Sequence, residues 1–336
     1  MRLALRTSAL AGAILSLALV ACGGGDDDGG DGDGDGTIDE SGANHTYVVS
    51  AINLPENGTE AMQLGLDIDG KANDGVDNQL GSVIGSIGAL APDLDLQASL
   101  DESVDNGELA LLVNVKATDL VNANGVGLWV YLATDQITPA PCTDPANPAT
   151  CRKHLEGTGM FSVDSAGPQD AKLAGRIMAG KFTGGPGNVT LRIALAGTPI
   201  ELPLQKARAE ISMVSDNGWP AMGSKIGGAV AQTDINTKVI PAIGNTVRSS
   251  YEEGCPVPQG GTRTPPACNC TDGSTGKTMQ TLFDKSPKDC EITDAEVMSV
   301  VGGFLTPDID LDGDGTNDAL SLGLGVTAVK ATFTVP

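Results

Sequence analysis

The sequence predicts a mainly β protein with minor α content. Its body is an antiparallel β-sandwich or barrel-like fold with a few short helices and a disulfide-rich insertion. Three observations predict this. Short apolar runs alternate with period two and are separated by Gly, Pro and Asn turn signals. Apolar residues make up 40% of 336, enough for a sizeable core. The cysteines fall in irregular, Pro-rich segments rather than in the alternating runs.

The N-terminus comes first. Arg2 and Arg6 form a basic region, and residues 7 to 21 are apolar but too short to span a bilayer. The run ends in Leu19-Val20-Ala21-Cys22. This resembles the lipobox of bacterial lipoproteins: an aliphatic residue, two small residues and a cysteine. The resemblance implies that residues 1 to 21 are a signal peptide and that Cys22 is acylated, as by palmitate. It places the protein in the cell envelope, with Gly23 favouring the outer membrane, on its periplasmic face or at the cell surface.

Residues 22 to 42 carry the lipidated cysteine and a Gly/Asp-rich tether whose charges repel one another. The folded body is read as one domain, residues 43 to 336. Its strands are expected at Tyr47 to Ile52, Glu108 to Ala117 and Val126 to Ala133. Two short runs follow in 171 to 183, and the GGPG at 184–187 reads as a turn. Asn188 to Ala196, Glu201 to Val214 and Thr327 to Val335 complete the set. Helices are expected at 78 to 89, from Leu96 to near Gly107, and at 234 to 248 around Pro241. Another follows the capping box of Thr293 and Glu296.

Seven cysteines leave six once Cys22 is set aside, an even number for an exported chain. Cys142 and Cys151 bracket a Pro-rich loop and are expected to pair locally. Cys255, Cys268, Cys270 and Cys290 belong to a Cys-rich insertion at about 249 to 291. Cys255–Cys268 with Cys270–Cys290 is one pairing there, and the crossed pairing is open. The Cys268-Asn269-Cys270 spacing is wrong for zinc.

Charge excludes some functions. The chain has 43 acidic and 20 basic residues, a net charge of −23. Loss of Arg2 and Arg6 with the signal takes it to −25. Such a chain offers no basic patch for nucleic acid. Aromatics are 3%, which leaves few stacking platforms for sugars or bases. The GSTGKT stretch at 273–278 is an incomplete P-loop with no leading strand. No nucleophile elbow or metalloprotease motif is legible, and no residue is assigned as catalytic.

The acidic loops carry the chemistry. Asp310, Asp312, Asp314 and Asp318 alternate around Gly315, so several oxygens can turn toward one centre, as calcium requires. The stretch resembles the loops of thrombospondin type 3 repeats and of EF-hand and dockerin modules, although Ser321 stands where an EF-hand has Glu. A second set, Asp67, Asp69, Asp74 and Asp77, echoes it upstream. Calcium is therefore the expected cofactor, in a structural role. The whole chain resembles uncharacterised Asp-Gly-rich lipoproteins of Gram-negative bacteria. The expected protein is a membrane-anchored one acting in binding, adhesion or envelope structure, with an unidentified protein or glycan ligand. A secreted hydrolase with an acidic or calcium-assisted site, and a carrier of an apolar ligand, are the alternatives.

Overall fold

The computed structural model describes residues 36–71, 75–90, 95–144, 146–195, 198–254, 275–285 and 291–336. Cys22, most of the tether, Asp74 and the four cysteines of the 249–291 insertion lie outside the described residues.

The strands are β1 (Ala43–Asn53), β2 (Leu111–Ala117), β3 (Ala123–Thr138), β4 (Gly159–Val163) and β5 (Lys172–Met178). Then come β6 (Lys181–Leu195), β7 (Thr198–Ile211), β8 (Gly218–Trp219), β9 (Lys225–Ala231) and β10 (Ala319–Thr332). Eight of them close a ring in the order β1-β2-β3-β5-β6-β7-β9-β10, and β10 pairs back to β1. Every contact around the ring is antiparallel. Of the two β architectures expected, the barrel is the one formed, and its topology is up-and-down. Closure leaves the ring without open edges.

The barrel is filled by side chains. Val49, Leu111, Val113, Leu128, Val130, Leu191, Ile211, Ile226 and Leu324 alternate inward and meet, leaving a void of only about 30 Å³. Trp219 of the short strand β8 closes one end of this core, edge-on to Tyr47 with ring centroids 4.9 Å apart. Trp129 instead faces outward, where its ring lies over Gly127 beside Ile38. Thr37 to Ser41 also belong to the body, since Asp39 N–H donates to the Gly125 carbonyl at 2.7 Å.

Both helical insertions leave the ring at the end where β1 finishes and β10 starts. The first contains α1 (Gly58–Leu64), α2 (Gln79–Leu90) and α3 (Leu96–Asp105). Helix α3 touches β1 and also β6, its opposite in the ring, so it lies across the barrel end. The second begins with α4 (Gln232–Asp234), passes through a π-turn at Ile235–Val239, and continues as α5 (Ile240–Gly254). The π-turn ends two residues before Pro241, which has no N–H to donate and crowds the preceding turn. Helices α6 (Thr275–Phe283) and α7 (Asp294–Val301) follow. Both bonds of the Thr293/Glu296 capping box are made.

Strand β3 outlasts the ring. Past a register shift between Ala133 and Ile137 it pairs with β4, which also runs parallel to the end of β10. The Cys142–Cys151 disulfide lies in this excursion. Arg152, next to it, pairs with Asp105 of α3 and reaches the Ser50 carbonyl of β1 at 3.1 Å.

One expectation is overturned. The GGPG at 184–187 is not a turn but an irregular stretch inside β6, with register shifts on both sides. The turn lies earlier, at Ala179–Gly180. The glycines serve close packing: a Cβ on Gly185 would lie 2.4 Å from the Ala207 carbonyl oxygen.

Candidate functional site: two matched acidic loops

Both acidic loops sit at the helical end of the barrel, one between α1 and α2, the other leading into β10. Each is pinched at its neck by an isolated antiparallel bridge, Leu66 to Asp77 and Ile309 to Ala319. Asp77 N–H donates to the Leu66 carbonyl at 2.8 Å, and Asp318 N–H donates to the Ile309 carbonyl at 2.9 Å.

Inside the necks the same bonds recur. Asp67 Oδ1 accepts from Gly70 N–H and Asp310 Oδ1 from Gly313 N–H, both at 2.7 Å. Both glycines are left-handed, with φ +78° and +80°. Asp69 accepts from Lys71 N–H at 2.9 Å, and Asp312 from Asp314 N–H at 3.1 Å. Asp77 Oδ2 accepts from Ile68 and Asp69 N–H, and Asp318 Oδ1 from Leu311 N–H. Asp77 therefore corresponds to Asp318. In sequence, laying Asp74-Gly75 on Asp314-Gly315 sets Asp77 opposite Asn317 instead.

The loops share a small apolar base of Leu66, Ile68, Ala229, Ile309 and Ala319, with Leu311 against it. Above this base the carboxylates converge. Asp67, Asp69 and Asp77 bring one oxygen each within 4.8 Å of the others, and Asp310, Asp312 and Asp314 do the same. Asp318 belongs to neither set, so the second triad takes Asp314 where the first takes Asp77, the counterpart of Asp318. Asp74 lies outside the described residues. Ser321 is fully buried inside β10, where its Oγ accepts from Gln79 N–H at 2.7 Å, so it faces neither centre.

Two charged neighbours of the loops are absent from the sequence motifs. Asp308 accepts from Ser321 N–H at 2.8 Å and pairs with its hydroxyl. It extends the alternation of Asp310 and Asp312 backward by one step, a signal the sequence does carry. Lys206 has no such signal. It occupies a register shift in β7 with φ +50°, and its Nζ donates to the Asp310 carbonyl at 2.6 Å.

The electrostatics divide the carboxylates. Burial pushes Asp77 and Asp308 above the usual carboxylate range. Burial pushes Asp69 the same way, but hydrogen bonds from Lys71 and the charges of Lys71 and Lys206 outweigh it and hold Asp69 low. Asp310 is held low chiefly by the amides of Gly315 and Gly313. These are oxygen-only donor sets on tight Gly-bearing turns, which suits a hard cation such as calcium better than a thiophilic metal.

The histidines lie elsewhere. His45 Nδ1 is 3.0 Å from Asp216 near the start of β1. His154 is fully buried beside Phe161. No family model, curated protein or solved structure matches the chain. The fold and loops define its class: an up-and-down β-barrel, helix-capped at one end and bearing paired acidic loops there.

Proposed function

We propose that the protein is a lipid-anchored component of the bacterial envelope whose barrel is stabilised by calcium at the two acidic loops. The observation that carries the calcium reading is the repetition. Two loops far apart in sequence but side by side at one end of the barrel build one hydrogen-bond plan, share an apolar base, and each gather three carboxylates. Asp67, Asp69 and Asp77 would hold one ion, and Asp310, Asp312 and Asp314 the other. Calcium there would neutralise crowded negative charge and fasten the helical insertions to the barrel. Cys22 would carry the acyl chains that fix the protein to the outer membrane, on its periplasmic face or at the cell surface. Its role is then binding, adhesion or envelope structure, toward a protein or glycan ligand. The filled barrel favours this over a carrier, since about 30 Å³ holds no apolar ligand.

The test is a thermal melt of the full chain in about 2 mM calcium and in EDTA, at matched ionic strength. Binding to the folded state alone stabilises by mass action, here roughly 1–2 kcal/mol per site at extracellular-grade affinity. The transition rises by several degrees in calcium, and Asp312→Ala with Asp314→Ala removes part of the rise. An unchanged transition would reduce both loops to turns. The anchor is tested separately, by the mass of the acylated N-terminal peptide and its loss in Cys22→Ser.

A further inference from the structure

The barrel end opposite the acidic loops carries exposed apolar side chains. Val121 lies in the β2–β3 turn, Met178 at the end of β5, and Met213 and Met222 in the loop between β7 and β9. Their exposures are 56%, 58%, 70% and 86%. Four of the large apolar side chains exposed among the described residues thus lie at this one end, and apolar surface gathered in one place is what marks an interaction surface.

These tips are fastened to one another. Gly180 N–H donates to the Val121 carbonyl, and Val214 N–H to the Gly180 carbonyl, each at 2.9 Å. Asn122 Oδ1 accepts from Ala179 N–H at 3.1 Å. Ser212 Oγ donates to the Gly223 carbonyl at 2.8 Å, which brings the Met222 turn beside Met213. The result is a fixed apolar rim.

Two further observations bear on what covers it. The chain enters the body at this rim, where Asp39 binds Gly125 near the start of β3. Only residues 23 to 35 separate Cys22 from the first described residue. Two ion pairs also lie near the rim, Lys116 with Glu40 and Lys181 with Glu210, and the His45 ring accompanies Asp216. The convergent carboxylates lie beyond the other end of β10.

We propose that this rim rests on the lipid surface to which Cys22 is anchored, so that the barrel stands on the bilayer with its acidic loops facing away. The contact adds to the anchor that the acyl chains supply, and it turns the convergent carboxylates of the two loops away from anionic headgroups. The inference rests on the lipid-anchor reading and adds an orientation to it.

The test uses the full acylated chain in vesicles of phosphatidylethanolamine and phosphatidylglycerol. Flotation of the vesicles reads the anchor. Dilute peroxide with mass spectrometry reads the oxidation rate of each methionine. Met62 on α1 and Met160 on β4 are internal references, exposed to 63% and 51% in the fold. Oxidation follows exposure, so Met178, Met213 and Met222 should react roughly threefold or more slowly than Met62 on floated vesicles. Equal rates on floated vesicles overturn the orientation and leave the anchor standing. Protection that vanishes when the protein is diluted in the bilayer identifies a second copy as the occupant and overturns the proposal. A chain that fails to float overturns both readings.

Discussion

Asn78 and Gly323, remote in sequence, exchange two hydrogen bonds. Asn78 Oδ1 accepts from the Gly323 amide at 2.8 Å, and Asn78 Nδ2 donates to the Gly323 carbonyl at 3.0 Å. The side chain thereby continues the pairing along β10 beyond Asn53, where β1 ends. Its other donor goes to the Ala61 carbonyl and its oxygen also takes the Gly81 amide. One buried carboxamide thus ties α1, α2 and β10 together beneath the first acidic loop.

Removing that carboxamide strips partners from backbone groups of Ala61, Gly81 and Gly323. Each orphaned buried group costs about 1–3 kcal/mol, so Asn78→Ala should lose roughly 3 kcal/mol or more. Gly323→Ala attacks the same joint sterically, because its Cβ would lie 2.3 Å from the Leu64 carbonyl oxygen. Urea unfolding of the two variants checks this. A loss below about 1 kcal/mol in both would mean that the joint relaxes freely.

The same joint explains what the sequence made legible. Strands β2 and the middle of β3 alternate cleanly because they carry bulky residues on the barrel side. Helix α2 is legible from Leu80, Val83, Ile84 and Ile87, all buried on one face. Strand β9 and the first half of β10 are not, because Gly227, Gly228, Gly323 and Gly325 interrupt the β-forming pattern. Those glycines answer to neighbours the local sequence does not contain. A Cβ on Gly227 would sit 2.4 Å from the Leu322 carbonyl oxygen, and Gly323 makes room for α1. The GGPG stretch misleads for the same reason. In the acidic loops the residue types were legible. The correspondence of Asp77 with Asp318, and the arrival of Lys206 from β7, depend on tertiary structure.

His154 gives a pH prediction. Burial, with Arg152 adding to it and the Val104 carbonyl partly opposing, lowers its pKa from 6.5 to about 4. The unfolded chain takes up this proton as pH falls through the ordinary value, while the folded chain resists until near the depressed one. The contribution is therefore whole above pH 6.5 and is lost as pH falls toward 4. The loss approaches about 1.4 kcal/mol per pH unit in that window. His154→Phe preserves an aromatic beside Phe161 and does not titrate. Urea midpoints at several pH values should fall more steeply for the wild type than for the variant. Parallel slopes would show that His154 is no more protected from protons in the fold than out of it.

The Cys142–Cys151 bond gives a third prediction. It closes a short loop of sequence separation 9, worth about 2–3 kcal/mol in the chain-entropy model. The loop holds Arg152 where it meets Asp105 and Ser50, so part of the effect should be felt in α3. Cys142→Ser with Cys151→Ser should lower the unfolding midpoint. It should also raise amide exchange in Leu96–Asp105 more than in β6 and β7. Unchanged exchange in α3 would confine the bond to its own loop.

Lys206 gives the last, and it bears on the acidic loops directly. Its ammonium donates to the Asp310 carbonyl and lowers the carboxyls of both Asp69 and Asp310, so one tethered cation serves both loops. A divalent ion arriving at either loop meets that positive charge. Lys206→Met keeps the apolar stem and removes the charge. Without calcium the variant should be less stable, because the loops lose a counter-ion. With calcium its transition should rise further than that of the wild type, reflecting affinity increased several-fold by the lost repulsion. Lys206→Gly loses the same charge but also accepts φ +50° without steric cost, so it should exceed Lys206→Met by about 1 kcal/mol in either condition. Calorimetric melts of the three proteins in calcium and in EDTA separate the terms. An equal calcium response in all three would mean that the ammonium and the ion do not share a field, and that Lys206 only braces the Asp310 backbone.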